Sequence, residues 1–181
     1  MSNEQKTYVV LLRGVTPKGK NKVPMAQLRL ILTEAGFDNV RTYIQSGNVL
    51  VNTKLSAKEI EMLVHELIKQ YIGAYISVVV RTREQLSKIL KENPFQEGFD
   101  PARVFYVLFK DNPTQEKCNA LLEKEFGIEK LAISQTAAYL YLPENASRSK
   151  LSNRFIERKL EITATTRNLN TMKKLIELSH I

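Results

Sequence analysis

The chain of 181 residues is 43% hydrophobic and 25% charged, which is typical of a globular protein and excludes a disordered chain. The polar start, MSNEQKT, lacks the apolar core of a signal peptide, so the sequence predicts a cytoplasmic protein without membrane contact. A single cysteine, Cys118, excludes an intrachain disulfide bond and agrees with a reducing compartment.

The positive charge is concentrated towards the two ends of the chain. The net charge of +8 favours anionic partners. Residues 13–29 contain no acidic residue. Their basic residues are Arg13, Lys18, Lys20, Lys22 and Arg29. Residues 146–176 are also strongly basic, with Glu157 and Glu161 as their only acids. We therefore expect an anionic partner to contact these two regions.

The first part of the chain predicts the order β-α-β-β-α-β. Runs of β-branched and apolar residues indicate strands at residues 7–13, 40–45, 48–52 and 76–80. One helix is expected to open at Pro24 and end at Gly36. Its predicted apolar face consists of Met25, Leu28, Leu32 and Ala35. Ser56 and Glu59 form a capping box that opens a second amphipathic helix, which ends at Gly73.

The second part repeats this order after a short connecting helix and a turn at Asn93-Pro94. Its strands are predicted at residues 104–109, 131–134, 138–142 and 162–165. One helix is expected from Asn112-Pro113 to Gly127, with Phe126 on its apolar face, and a basic helix from about Ser147. A final helix follows the last strand.

We therefore predict an α+β fold of two consecutive ferredoxin-like β-α-β-β-α-β units with an extra C-terminal helix. The predicted domains are residues 1–82, a helical connector at 83–102, and residues 103–181. Strands such as YVVLL and VFYVLF are apolar on both faces, so we expect both sides of each sheet to be covered.

This topology brings two polar segments to one edge of the first sheet. The first and second strands run parallel with the third between them, so the first strand ends where the hairpin joins the other two. Glycines there let a ligand approach the backbone, and the helix at Pro24 adds the positive end of its dipole. We predict an anion-binding rim formed by Arg13, Gly14, Lys20, Lys22, Ser46, Gly47 and Asn48.

A structural interpretation of the same residues stays open. Ser46-Gly47 is an ordinary hairpin turn. If Arg13 points inward on the face of Val9 and Leu11, it needs a partner such as Asn48 or a hairpin carbonyl, because a buried unpaired guanidinium is costly.

A second candidate contact lies in the segment TTRNLNT, residues 165–171. Arg167 offers a charged fork that suits a phosphate or carboxylate, and Asn168 is its predicted companion in an anion site. The alternative is that Arg167 pairs with a structural carboxylate and that Asn168 or Asn170 only caps the last helix.

Four segments carry a family resemblance: LLRG (residues 11–14), NKVPM (21–25), VRTYIQSGN (40–48) and ATTRN (164–168). In this order they resemble a bacterial family catalogued as domain of unknown function 1697. One departure is Val15-Thr16-Pro17, where the family more often has a glycine-rich loop. The resemblance implies a soluble bacterial α+β protein and assigns no catalytic residues.

No recognisable catalytic or metal-binding pattern occurs in the sequence. The histidines, His65 within a helix and His180 at the chain end, do not combine with Cys118 into a zinc site. Neither a phosphate-binding Walker pattern nor a nucleophile elbow is found. We expect no metal and no cofactor, and the sequence does not decide whether the protein is an enzyme.

The sequence favours a binding module for a phosphate- or carboxylate-bearing small molecule. One alternative is an interaction or assembly module, either a monomer or a homodimer, whose apolar strands cover one another or a second chain. Another is non-specific nucleic-acid binding through the basic surface. Sequence-specific RNA binding is disfavoured, because the strand at residues 48–52 has no aromatic side chain on which a base could stack.

Overall fold

A computed structural model describes residues 4–180, and its strands and helices follow the predicted order. In chain order they are β1 (Lys6–Leu12), α1 (Met25–Glu34), β2 (Asp38–Tyr43), β3 (Asn48–Thr53), α2 (Ala57–Tyr71), β4 (Val78–Arg81), α3 (Arg83–Lys91), β5 (Val104–Phe109), α4 (Gln115–Leu122), β6 (Lys130–Ile133), β7 (Ala137–Tyr141), α5 (Asn153–Leu160), β8 (Ala164–Asn168) and α6 (Leu169–Leu178).

The strands form two antiparallel sheets of four strands with the same topology. The orders are β2-β3-β1-β4 and β6-β7-β5-β8. In the first sheet β3 runs antiparallel to both β1 and β2, so β1 and β2 are parallel, as the sequence predicts. The α+β fold of two ferredoxin-like units with an extra C-terminal helix is thereby confirmed.

The chain divides into two compact units. The first runs through Leu86 and includes the chain from Lys174 on, and the second is Ser87–Lys173. The end of α6 belongs to the first unit, although it follows the second unit in sequence.

Both faces of the first sheet are buried. Val10 and Val49 pack with α1 and α2 in one hydrophobic cluster. On the opposite face Val9, Leu11 and Leu50 are completely buried as well. Each such side chain contributes about 1.5–3 kcal/mol by leaving water. Burial on both faces is the reason that the strand sequences are apolar without alternation.

Several element boundaries differ from the predicted ones, and two of these differences have local reasons. β2 ends before Ile44, because Ile44 takes a left-handed backbone conformation with φ of +50° that a strand cannot continue through. α5 begins after Ser152 and not near Ser147, because the Ser152 hydroxyl accepts a hydrogen bond from the Phe155 N–H at 3.2 Å and so caps the helix.

The apolar faces of two helices are shorter than predicted. Ala35 is exposed at the end of α1 and does not join the buried face of Met25, Leu28 and Leu32. α4 ends at Leu122, so Phe126 lies beyond the helix, where its ring meets the edge of the Phe155 ring at 6.0 Å between centroids.

Gly47→Ala should destabilise the protein more than Gly19→Ala does. Both glycines have left-handed φ, +89° and +82°, so alanine costs about 1–2 kcal/mol in backbone strain at either position. A Cβ at Gly47 would lie 2.8 Å from Leu12 Cβ, whereas nothing lies within 4 Å of one at Gly19. We expect an additional loss of about 1–3 kcal/mol for Gly47→Ala in urea denaturation. Equal losses would contradict this packing role.

Tyr139 should make the stability depend on alkaline pH. Burial raises its pKa from 10.0 to about 12, and its hydroxyl donates to the Ile89 carbonyl at 2.8 Å. Because the folded pKa lies above the unfolded one, this stabilisation is complete below about pH 10 and is lost as the pH rises towards 12.

The free energy of unfolding of Tyr139→Phe should therefore fall less steeply with pH across this window than that of the wild type. The difference in slope should reach at most about 1.4 kcal/mol per pH unit. Urea denaturation at a series of pH values measures both slopes, and equal slopes would show that Tyr139 does not titrate differently on folding.

Candidate functional site

The end of β1 and the turn between β2 and β3 lie side by side, as predicted. The Leu12 N–H donates to the Gly47 carbonyl at 2.8 Å, and Leu11 is paired with Asn48 in the sheet. Gly47 is buried against Leu12 and Val15, which leaves no room for a side chain. Arg13-Gly14 and Ser46-Gly47-Asn48 therefore occupy one edge of the first sheet.

Asn48 holds the turn together from inside. It is completely buried, and its side-chain amide donates to the Tyr43 carbonyl at 3.0 Å and to the Ser46 hydroxyl at 3.1 Å. These bonds span the loop from the last residue of β2 to the first residue of β3. Asn48 therefore has a structural role in the turn.

Arg13 is half-buried on the side of β1 that carries Val9 and Leu11. Its backbone N–H donates to the Ser77 carbonyl at 2.9 Å. Arg13 also interacts with other residues of the protein, so it is not a free surface cation.

The lysines of the following loop are exposed. Lys18, Lys20 and Lys22 project from a loop that is ordered by its own hydrogen bonds. The Thr16 N–H donates to the Asn21 carbonyl at 3.1 Å, and the Lys22 N–H donates to the Gly19 carbonyl at 3.2 Å. Within residues 4–180 none of these lysines forms an ion pair with a carboxylate. The loop therefore presents an uncompensated positive cluster.

The β2–β3 loop contains a strained residue that the sequence did not signal. Ile44 has φ of +50°, and 51% of its surface is exposed. A β-branched residue disfavours this conformation, because its side chain crowds the backbone. Such strain persists only where the surroundings impose it, and it is concentrated at functional sites. No pattern of residue types along the chain indicates it, since isoleucine by itself predicts a strand.

The start of α1 faces the same edge of the sheet. The helix follows Pro24, which makes no side-chain cap, and its first turn contains no acidic residue. The unpaired N–H groups there carry a partial positive charge. Arg29, further along the helix, donates to the Thr42 hydroxyl and so joins α1 to β2.

Arg167 and Asn168 belong to the second unit, where both make local contacts. Arg167 is 8% exposed, and its Nη1 donates to the Thr165 hydroxyl at 2.7 Å and to the Thr166 carbonyl at 2.9 Å. Burial lowers the pKa of Arg167 to about 10. The Asn168 side chain accepts from the Thr171 N–H at 2.9 Å and caps α6. For Asn168, capping of the last helix is the alternative to anion binding that the sequence left open.

A cleft of about 320 Å³ lies at the opposite edge of the first sheet, near the start of β1 and the end of β3. Gln5 and Asp38 line it, and the Gln5 amide donates to the Asp38 carboxylate. Lys54 lines it as well, so the cleft carries one charge of each sign and, unlike the basic edge, has no excess of positive charge.

The remaining reactive side chains have local partners. Cys118 is buried, and burial raises the pKa of its thiol. His65 Nδ1 lies 2.6 Å from the Ile76 carbonyl, and its ring packs edge-on against Tyr75. Within residues 4–180 no three His, Cys, Asp or Glu side chains converge as metal ligands. Across the same residues, no helix combines the length and hydropathy needed to cross a membrane.

Asn48→Ala should destabilise the protein more than Ser46→Ala. The first change leaves the Tyr43 carbonyl without its donor in a buried position and should cost about 1–3 kcal/mol. The second removes an exposed hydroxyl and leaves the bond to Tyr43 in place, so it should cost less than about 1 kcal/mol. Urea denaturation measures both, and similar losses would mean that Asn48 does not hold the turn.

Comparisons with known proteins give a structural neighbour and a family. Over 97% of its length it is similar in structure to a conserved bacterial protein, SP0830 from Streptococcus pneumoniae, with a TM-score of 0.77, 24% identity and 99% of that chain covered. At this identity the likeness shows the fold alone. No curated protein matches the chain. The model of a family described as proteins of unknown function (DUF1697) matches residues 5–139, and the chain therefore belongs to that family.

Proposed function

We propose that this protein binds a small phosphate- or carboxylate-bearing ligand at the basic rim of its first unit. The basic rim consists here of Arg13, Gly14, Lys18, Lys20, Lys22 and Ser46. The observation that carries the proposal is the group of exposed lysines without acidic partners, in a loop fixed beside the β2–β3 turn.

The residues of the basic rim and of the adjacent turn differ in exposure. Gly47 and Asn48 are buried and shape the turn, so they act as scaffold. Lys20, Lys22 and Ser46 are exposed and are available to a ligand. Arg13 is half-buried and adds positive charge beneath them.

The strength of the available electrostatic interactions restricts the charge of the ligand. One exposed ion pair contributes about 0.2–1 kcal/mol. The positive end of α1 adds about 0.3–1 kcal/mol. Together three lysines and the helix end supply about 1–4 kcal/mol, which corresponds at best to a dissociation constant near 1 mM. A ligand with several negative charges is therefore favoured over one with a single charge, and its binding should weaken as salt screens the lysines.

Two further features support this assignment. The loop is held by its own hydrogen bonds, including one from the Thr16 hydroxyl to the Lys18 carbonyl at 2.8 Å. A preordered loop loses less conformational entropy when it binds a ligand. The strained Ile44 lies in the adjacent loop, where the fold maintains an unfavourable backbone conformation at an exposed position.

A panel of nucleoside triphosphates, tripolyphosphate and citrate tests the proposal by thermal unfolding at low salt. A ligand at ten times its dissociation constant should stabilise the fold by about 1.4 kcal/mol. A variant with Lys18, Lys20 and Lys22 changed to Gln should bind the best ligand at least about tenfold more weakly, since it loses the charges that supply the attraction.

The matched control carries Gln at Lys91, Lys124 and Lys130, which are exposed lysines of the second unit. It has the same net charge as the rim variant and should bind like the wild type. If no anion of the panel raises the melting temperature, or if both variants lose affinity equally, the rim is not a binding site.

A further inference from the structure

The second unit contains a cleft of about 260 Å³ that is separate from the basic rim. It lies between the turn after α3, the strand β5 and the first turns of α6. Its lining includes Leu90, Asn93, Phe95, Tyr106, Leu169 and Lys173. Its volume is just below the range of about 300–1,000 Å³ that is usual for small-molecule sites, so it suits a small ligand.

Tyr106 provides a hydroxyl whose hydrogen meets no acceptor among the described residues. Only 2% of Tyr106 is exposed, and its oxygen accepts a hydrogen bond from the Asn93 side-chain amide at 3.1 Å. Asn93 is itself fixed, because its side-chain oxygen accepts from the Phe95 N–H at 3.0 Å. Among the described residues no acceptor receives the Tyr106 O–H. A buried donor without an acceptor is unfavourable, so a ligand that supplies one is favoured.

The hydroxyl of the neighbouring Tyr139 differs, because its hydrogen is used in a bond. The Tyr139 ring meets that of Tyr106 edge-on at 5.8 Å between centroids, on the same sheet. The Tyr139 hydroxyl, however, donates to the Ile89 carbonyl at 2.8 Å. Of these two buried phenols, only Tyr106 has a hydrogen left for a ligand.

The other lining groups restrict the charge and the polarity of the ligand. Lys173 is exposed and forms no ion pair with any carboxylate of residues 4–180. Among the described residues no acidic side chain lines the cleft, while Leu90, Phe95 and Leu169 supply apolar surface. One cation balances one negative charge, so a monoanion matches better than a phosphate dianion, whose second charge would lose water without compensation.

We infer that this cleft binds a small monocarboxylate with a short apolar body. One carboxylate oxygen accepts the hydrogen bond from Tyr106, the charge pairs with Lys173, and the apolar body packs against Leu90, Phe95 and Leu169. Asn93 acts as a positioning residue, because it fixes the phenol oxygen and leaves the hydrogen to point elsewhere.

The experiment uses the intact chain, with benzoate as the probe and benzamide as its neutral counterpart. Isothermal titration and amide chemical shifts give the affinity and the location. We expect benzoate to bind in the millimolar range and to shift amides near residues 90–106 and 169–173. Benzamide should bind about tenfold more weakly, because it lacks both the charge that pairs with Lys173 and the charged acceptor for the Tyr106 hydroxyl. Binding of benzamide as tight as that of benzoate, no binding of benzoate, or shifts confined to residues 13–22 would overturn the inference.

Two substitutions test the contribution of the Tyr106 hydroxyl to binding separately from its contribution to the fold. Tyr106→Phe should weaken benzoate about tenfold, because it removes the donor to a charged acceptor. Tyr139→Phe, the matched loss of a buried hydroxyl, should change the affinity less than about twofold, since its hydroxyl is already bound to Ile89. Equal losses in the two variants would overturn the assignment of Tyr106.

Lys173→Glu gives a test that does not perturb the core, because Lys173 is exposed. The reversed charge should weaken benzoate by more than about tenfold while leaving the melting temperature of the free protein nearly unchanged. An unaltered affinity of Lys173→Glu for benzoate would overturn the inference even if Tyr106→Phe failed to fold.

Discussion

The pairing of β3 with β1 is the constraint on which the basic rim depends. β3 lies between β1 and β2 and runs antiparallel to both, so the turn that opens β3 meets the residues that close β1. The 2.8 Å bond from Leu12 to Gly47 joins the two segments directly. Both faces of the sheet are buried, and a shift of register by one residue would exchange the faces of every side chain. The position of the rim is therefore fixed by the core.

Whether a polar group is available to a ligand depends on where its hydrogen bonds are used. Asn48 and Arg167 are the residue types expected in an anion site, yet both are buried and donate to nearby hydroxyls and carbonyls of the fold. Lys20 and Lys22 have no such partners among the described residues and face the solvent. Buried polar residues such as Asn48 therefore hold the fold together, whereas the exposed lysines keep their charge in the solvent.

The same distinction applies to the tyrosines of the second sheet. Tyr106 and Tyr139 are paired across neighbouring strands and are equally buried. Ile89 accepts from one hydroxyl, whereas Asn93 donates to the other and leaves its hydrogen unused. The two hydroxyls thus differ in the direction of one hydrogen bond, although the residue type and the burial are the same.

The sequence by itself determined the order of the strands and helices, the topology and the meeting of Arg13-Gly14 with the β2–β3 turn. These features depend on local periodicity and turn residues. The resulting order of the elements implies that β1 and the hairpin share one edge of the sheet. Only the tertiary structure decided that Ile44 adopts a left-handed conformation and that Asn48 is enclosed. It alone placed the end of α6 in the first unit and left the Tyr106 hydroxyl without an acceptor among the described residues. The physical reason is that burial and hydrogen-bond satisfaction depend on contacts between residues far apart in the chain, which no local pattern records.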